Sequence, residues 1–206
     1  MKTYFTLAVG LLAAFVLWTA ALCMVDVQSI GPQGSAVGLA TVNGWFHEWT
    51  GVHMGLYDLT DNISLIPLAL AAGFGLLGLF QWIQRKDLRK VDRSLLVLGV
   101  FYIAVLAAFV GFEFAAVNYR PILIEGRLEA SYPSSTTILA MCILPTAAMQ
   151  LRTRGCGRWV SGSLYGLTAF MVIARLFSGV HWLTDIIGGL LLSGGLVMLY
   201  KAMTEQ

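Results

Sequence analysis

Six long apolar runs, parted by short clusters of charge, limit what this chain can fold into. They cover approximately residues 4–25, 62–83, 94–116, 135–151, 159–177 and 182–201. Runs of this length cross the roughly 30 Å hydrocarbon core of a bilayer as helices. Lipid offers no partner to a backbone N–H or C=O, so each run must satisfy its own polar groups. The two-residue alternation of a barrel strand is missing. Only 12% of residues are charged against 58% hydrophobic, about half the charge usual in a soluble domain. The expected architecture is all-α: a single domain over 1–206, built as a six-transmembrane-helix bundle with an external amphipathic helix.

Basic residues predict the orientation. "QRKDLRKVDR" holds five Lys or Arg in ten residues and "LRTRGCGR" three Arg in eight. Both loops are expected in the cytoplasm, because positive charge stays on that side. Two spans separate them, so they share a side, and both termini join them there. The extracytoplasmic side then receives 26–61, 117–134 and 175–182, which hold all three histidines, Arg120, Arg127 and Arg175. The basic clusters between spans give no nucleic-acid footprint. The basic, apolar N-terminus also resembles a signal peptide, but its run is of span length, which favours a retained first helix in a cell-membrane protein. Cys23, Cys142 and Cys156 are odd in number and lack metal spacing. They read as packing residues or free thiols.

Within the first external segment, Trp45, Trp49, Val52 and Leu56 follow helical spacing. Residues 36–50 are expected as an amphipathic helix, either on the outer leaflet or packed as a lid over the bundle. It holds His47, and His53 follows. Asp58, Asp61 and Asn62 read as the first turn of the second span.

Three pieces of chemistry fall on this same face. In "ARLFSGVHWLTD", His181 and Asp185 are four residues apart, a spacing that sets both on one helix face. A carboxylate there fixes an imidazole's tautomer and stabilises its cation. "VNYRP" sets Arg120 just beyond the third span, with a planar guanidinium suited to phosphate oxygens. "YPSSTT" opens the fourth span, where Ser134, Ser135 and Thr136 surround an anion-ready helix terminus. Each piece alone has an ordinary explanation: an interfacial histidine with a first-turn acid, a snorkelling arginine, a serine cap. Together with Arg175 they point to a phosphate site.

These residues carry a resemblance to the type 2 phosphatidic acid phosphatase (PAP2) family of membrane lipid phosphatases, related to vanadium haloperoxidases. The family's third motif, Ser-Arg-x5-His-x3-Asp, is matched by Arg175, His181 and Asp185, with Ala174 in place of the serine. Its first, Lys-x6-Arg-Pro, is matched by Arg120 and Pro121, with Glu113 at the lysine position. Its second, Pro-Ser-Gly-His, is matched by Pro133 and Ser134, with Ser135 and Thr136 replacing glycine and histidine. The resemblance implies His181 as nucleophile and Asp185 as its orienting partner. Arg120, Arg175, Ser134, Ser135 and Thr136 would hold phosphate, with no metal or cofactor. The implied partners are the membrane and a phosphorylated lipid such as phosphatidic acid or undecaprenyl diphosphate.

The departures bear on the reaction. The family's second-motif histidine protonates the leaving alcohol, which Thr136 does poorly. A diphosphate expels a phosphate, a weaker base that needs less protonation, so a preference for diphosphates is expected. Alternatively Glu113 or His47 supplies the acid. A competing reading from another class is a catalytically weak or inactive relative that binds a phosphorylated lipid or a partner. A transporter is a third reading, although no pair of interrupted helices marks internal repeats.

Overall fold

A computed structural model describes residues 2–204. Its helices are α1 (Lys2–Met24), α2 (Ala40–Thr50), α3 (Met54–Ile63), α4 (Leu65–Arg85), α5 (Arg93–Ala115), α6 (Ser135–Thr153), α7 (Arg158–Phe177) and α8 (Leu183–Thr204). Among the described residues no strand forms, and the loops carry only isolated bridges such as Tyr119 with Ala130. The expected six long helices are present as α1 and α4 to α8.

Five helical stretches are long and apolar enough to cross a membrane: α1, the continuous Met54–Arg85 stretch, α5, α7 and α8. The sixth long helix, α6, falls outside that set for a physical reason. It is packed by α4, α5, α7 and α8, so it meets protein where the others meet lipid and tolerates polar residues. Thr136, Thr137, Thr146 and Gln150 are all buried in it. Their polar groups are satisfied internally: Thr146 Oγ1 donates to the Cys142 carbonyl at 2.7 Å, and Gln150 Nε2 donates to Tyr200 Oη at 2.6 Å.

Two helix starts differ from expectation. The external amphipathic helix begins at Ala40, not at 36. Before it, Val37 and Gln28 exchange backbone hydrogen bonds, and Leu39 turns the chain through the left-handed region. Asp58, Asp61 and Asn62 do not form the first turn of a helix; they lie in the body and last turn of α3. At the α3–α4 junction the Ser64 N–H donates to the Thr60 and Asp61 carbonyls, so the helical path is nearly unbroken there.

The amphipathic helix α2 is anchored to the bundle on one face and open on the other. Buried Asn43 donates to the Gly38 carbonyl at 2.8 Å and to Thr184 Oγ1 at 2.9 Å, and accepts from the Thr184 N–H at 3.2 Å. It thereby supplies a partner to an N–H that the first turn of α8 leaves free. Trp45 and Trp49 stack at 6.4 Å on the exposed face.

The core lies where α8 packs between α1 and α6. In lipid such contacts depend on close approach more than on the hydrophobic effect. Gly188 shows this: a Cβ there would lie 2.4 Å from Tyr132 Cε2, so only glycine admits the Tyr132 ring against α8. Tyr132 also hydrogen-bonds Thr19 of α1 at 2.7 Å. The segment leading into α6 is thus held by α1 and α8 together. The α4–α5 and α6–α7 turns share one end, where Arg85 and Arg154 lie 3.1 and 3.9 Å from Asp92. The opposite end gathers α2, α3, the α5–α6 loop and the α7–α8 turn.

Candidate active site

The α7–α8 turn brings histidine and aspartate together, though not on one helix face. His181 precedes α8, which starts at Leu183. Gly179 makes the turn with φ of 70°, and a Cβ there would lie 2.0 Å from the Gly51 carbonyl oxygen. Asp185 closes the turn by accepting the Trp182 N–H at 2.9 Å, as an acid three residues into a helix does for its cap. His181 Nδ1 then lies 3.6 Å from Asp185 Oδ2 with both side chains buried. That distance is longer than a hydrogen bond.

The other ring nitrogen is 3.3 Å from Arg120 Nη1. A guanidinium only donates, so Nε2 must offer its lone pair and the ring proton belongs on Nδ1, facing Asp185. Burial, and then the charges of Arg120 and Arg175, hold the His181 pKa well below its ordinary value, with the Ser131 backbone opposing. The imidazole is therefore neutral at neutral pH, with an unprotonated electron pair on Nε2 directed at Arg120.

Arg120 is placed by an extended segment, not by α5. The helix ends at Ala115 and Ala116 turns left-handed at φ 44°. The Arg120 N–H donates to the Glu129 carbonyl, and the Ser131 N–H to the Asn118 carbonyl. In extended chain, residues two apart share a side, so Asn118 faces the site as well. Its amide donates to Asp185 Oδ1 at 3.4 Å and its oxygen accepts the Gly38 N–H at 3.2 Å. The helical spacing that would have set Glu113 beside Arg120 is broken by the same turn. The carboxylate beside Arg120 is Glu129, with Oε2 3.0 Å from Nε.

Arg175, 2% exposed, ends α7. It donates to Thr136 Oγ1, lies 3.6 Å from Asp61 Oδ1 and stacks over the Tyr57 ring at 4.8 Å. Its Nε and Nη1 are buried without a hydrogen-bond partner among the described residues. Ser134 caps α6, its Oγ accepting from the Thr137 N–H at 3.4 Å, while its own N–H reaches the Asp185 carbonyl at 3.1 Å. The hydroxyl is thus engaged in the cap.

A cavity of about 250 Å³ opens here, lined among others by Glu113, Arg120, Glu129, Ser131, Ser135 and His181. The structure therefore brings together His181, Asp185, Arg120, Arg175 and the start of α6. It puts Glu113 at the cavity wall. His47 is outside that wall, edge-on to Trp182 at 5.4 Å, with its pKa lowered by burial and Glu48 opposing. Sequence reasoning passed over Asn118, Glu129 and Ser131. The two-residue alternation of "VNYRP" was the available signal for Asn118. Among the described residues no three of His, Cys, Asp and Glu gather as metal ligands. Chemically, the site offers a neutral imidazole lone pair flanked by two buried guanidinium groups.

Residues 113–206 match the family model described as the PAP2 superfamily. The chain is 27% identical over 208 residues to phosphatidylglycerophosphatase B of Bacillus subtilis, covering 96% of this chain and 95% of that protein. Its fold is similar to the crystal structure of a transmembrane PAP2-type phosphatidylglycerolphosphate phosphatase from Bacillus subtilis. The TM-score is 0.62 at 21% identity, over 96% of each chain.

Proposed function

We propose that this chain, a PAP2-type membrane phosphatase by its match over residues 113–206 and its full-length likeness to such an enzyme, dephosphorylates a lipid phosphate or a polyprenyl diphosphate through a phosphohistidine on His181. The observation that carries this reading is the Arg120–His181 contact at 3.3 Å, which leaves the reactive lone pair on Nε2 beside two guanidinium groups.

In the first step Nε2 attacks phosphorus, an N–P bond forms and the P–O bond to the leaving group breaks. Arg120 and Arg175 offset the charge on the phosphoryl oxygens, which is most of what phosphoryl transfer requires of a protein. The imidazole becomes cationic and Asp185 stabilises it through the Nδ1 proton. In the second step water attacks phosphorus, the N–P bond breaks, and the imidazole is restored. Ser135 and the N–H groups opening α6 contribute further donors. Thr136 acts through Arg175, which it holds.

A lipid substrate suits the surroundings. A second cavity of about 370 Å³, lined by Leu68, Val105, Phe109, Ser135, Ile138 and Leu139 among others, shares Phe109, Ser135 and Ile138 with the first. A tail lying there would leave its phosphate at His181. The basic α4–α5 and α6–α7 turns support a cytoplasmic position for their own end, with the catalytic end on the other side. With threonine at the acid position, diphosphates such as undecaprenyl diphosphate are the preferred substrates. Of the two acids the sequence offers in its place, Glu113 lines the cavity and His47 does not, so Glu113 is the candidate for monoesters such as phosphatidic acid or phosphatidylglycerophosphate.

Phosphate release by purified protein from monoester and diphosphate lipids, with His181→Ala alongside, tests the reading. Diphosphate turnover that vanishes in the variant is expected. Binding of these lipids without turnover would instead establish a phospholipid-binding relative.

A further inference from the structure

Both phosphate-facing arginines are already in contact with a carboxylate. Asp61 of α3 is 3.6 Å from Arg175, and Glu129 of the α5–α6 loop is 3.0 Å from Arg120. The arginine side chains are 2% and 10% exposed, whereas Asp61 and Glu129 are 63% and 37% exposed. Neither contact is a well-formed hydrogen bond. The first is too long, and Arg120 Nε has no aligned acceptor despite its short distance to Glu129. These acids neutralise charge without saturating the donors, and each has water to turn toward.

A ligand phosphate approaching the arginines must compete with both carboxylates. Its gain grows with its own charge, so a dianion displaces them more readily than a monoanion. This matters for a site that takes lipid substrates, because ordinary phospholipids present phosphodiesters, which carry one negative charge per phosphate. With Arg120 and Arg175 unopposed, such headgroups would crowd the site.

We propose that Asp61 and Glu129 form a charge filter, competing for Arg175 and Arg120 so that the site admits phosphate monoesters and diphosphates and excludes phosphodiester lipids. The proposal rests on the phosphatase reading above. It gives α3 a task in selectivity: Tyr57 and Asp61, one helical turn apart, address the same guanidinium from the same face.

The sign of the effect separates this from a structural role. Losing a merely structural acid weakens the site, whereas losing a competitor tightens anion binding. Calorimetry with inorganic phosphate, and inhibition of turnover by phosphatidylglycerol in mixed micelles, are measured on Asp61→Asn, Glu129→Gln and the double variant. Asp58→Asn, an exposed acid of α3, controls for overall charge. Phosphate is expected to bind each single variant roughly three- to tenfold more tightly than wild type. Phosphatidylglycerol becomes a better inhibitor in each, Asp61→Glu restores part of the discrimination, and Asp58→Asn matches wild type. Thermal unfolding verifies that every variant is folded. Wild-type phosphate binding with unchanged or weaker binding in the folded variants overturns the filter and leaves the phosphatase reading standing. Absence of phosphate binding in every form, wild type included, overturns both.

Discussion

The two ends of the bundle use charge in opposite ways. At the basic end Arg85 and Asp92 meet at 3.1 Å with side chains 39% and 42% exposed. Arg154 approaches the same aspartate at 3.9 Å. Such pairs stay in water and contribute about 0–1 kcal/mol. At the other end the Arg175, His181 and Asp185 side chains are almost fully buried. Withdrawing ions from water costs several kcal/mol each, so a buried arrangement of this kind is retained for chemistry at the expense of stability. The contrast teaches where to look for a site in a membrane bundle: at the end where charge has left the solvent.

Substitutions at both ends can break that contrast. The largest effect is expected from His181→Ala, which should reduce turnover by at least about 10⁴-fold while folding is kept. Arg154→Ala at the basic end should leave kcat nearly unchanged. Comparable losses from the two would refute the division. Asp185→Asn follows, with a kcat loss of roughly 10³- to 10⁴-fold, because the amide supports the imidazolium poorly. A loss below tenfold would reduce Asp185 to closing the turn at Trp182. Next is Arg175→Lys, expected to cost roughly 10²-fold in kcat/KM, since a point charge replaces a planar fork. Arg85→Lys should shift stability by less than about 0.5 kcal/mol.

The pH dependence gives smaller effects. Because the His181 pKa is depressed, chiefly by burial, kcat/KM should hold as the pH falls through the ordinary histidine value of about 6.5 and decline only well below it. Stability follows the same sign. The unfolded chain takes up a proton first, so the His181 contribution is complete above about pH 6.5 and is lost as pH falls toward the folded value. An acid limb at 6.5 in kcat/KM would show that the ring is solvated. The smallest effect is at Asp92, whose pKa is lowered by the Gln81 hydrogen bond, then by Arg85. Its contribution is present above the ordinary aspartate value of 3.8 and lost as the pH falls below it. Salt should largely erase it, whereas the buried end should respond little to salt; thermal unfolding at two ionic strengths compares them.

How much of this was legible depended on the kind of contact. The long helices were readable because lipid imposes helices on apolar runs. The run at 135–151 was readable as a helix too, although burial among four neighbours lets α6 carry more polar residues than the others. His181 and Asp185 were readable from their spacing, although a turn and not a helix face joins them. Seven residues would set Glu113 and Arg120 on one face of a continuing helix, but Ala116 ends that helix between them. A polar residue before an apolar run is ordinarily a cap, so nothing local marks Asp61, whose contact with Arg175 joins α3 to α7 across more than a hundred residues. Glu129 and Asn118 belong to a loop pairing set by backbone hydrogen bonds, which side-chain identities do not encode.

The central claim is that His181 carries the phosphoryl group, and the most direct test is to trap it. Wild-type protein turning over a diphosphate lipid is quenched in alkali, where an N–P bond survives, then digested and analysed by mass spectrometry. The account predicts one added phosphoryl group on the peptide containing His181, absent in His181→Ala and accumulating when the second step is slowed. A phosphoryl group on another residue, or wild-type turnover in His181→Ala, would contradict it.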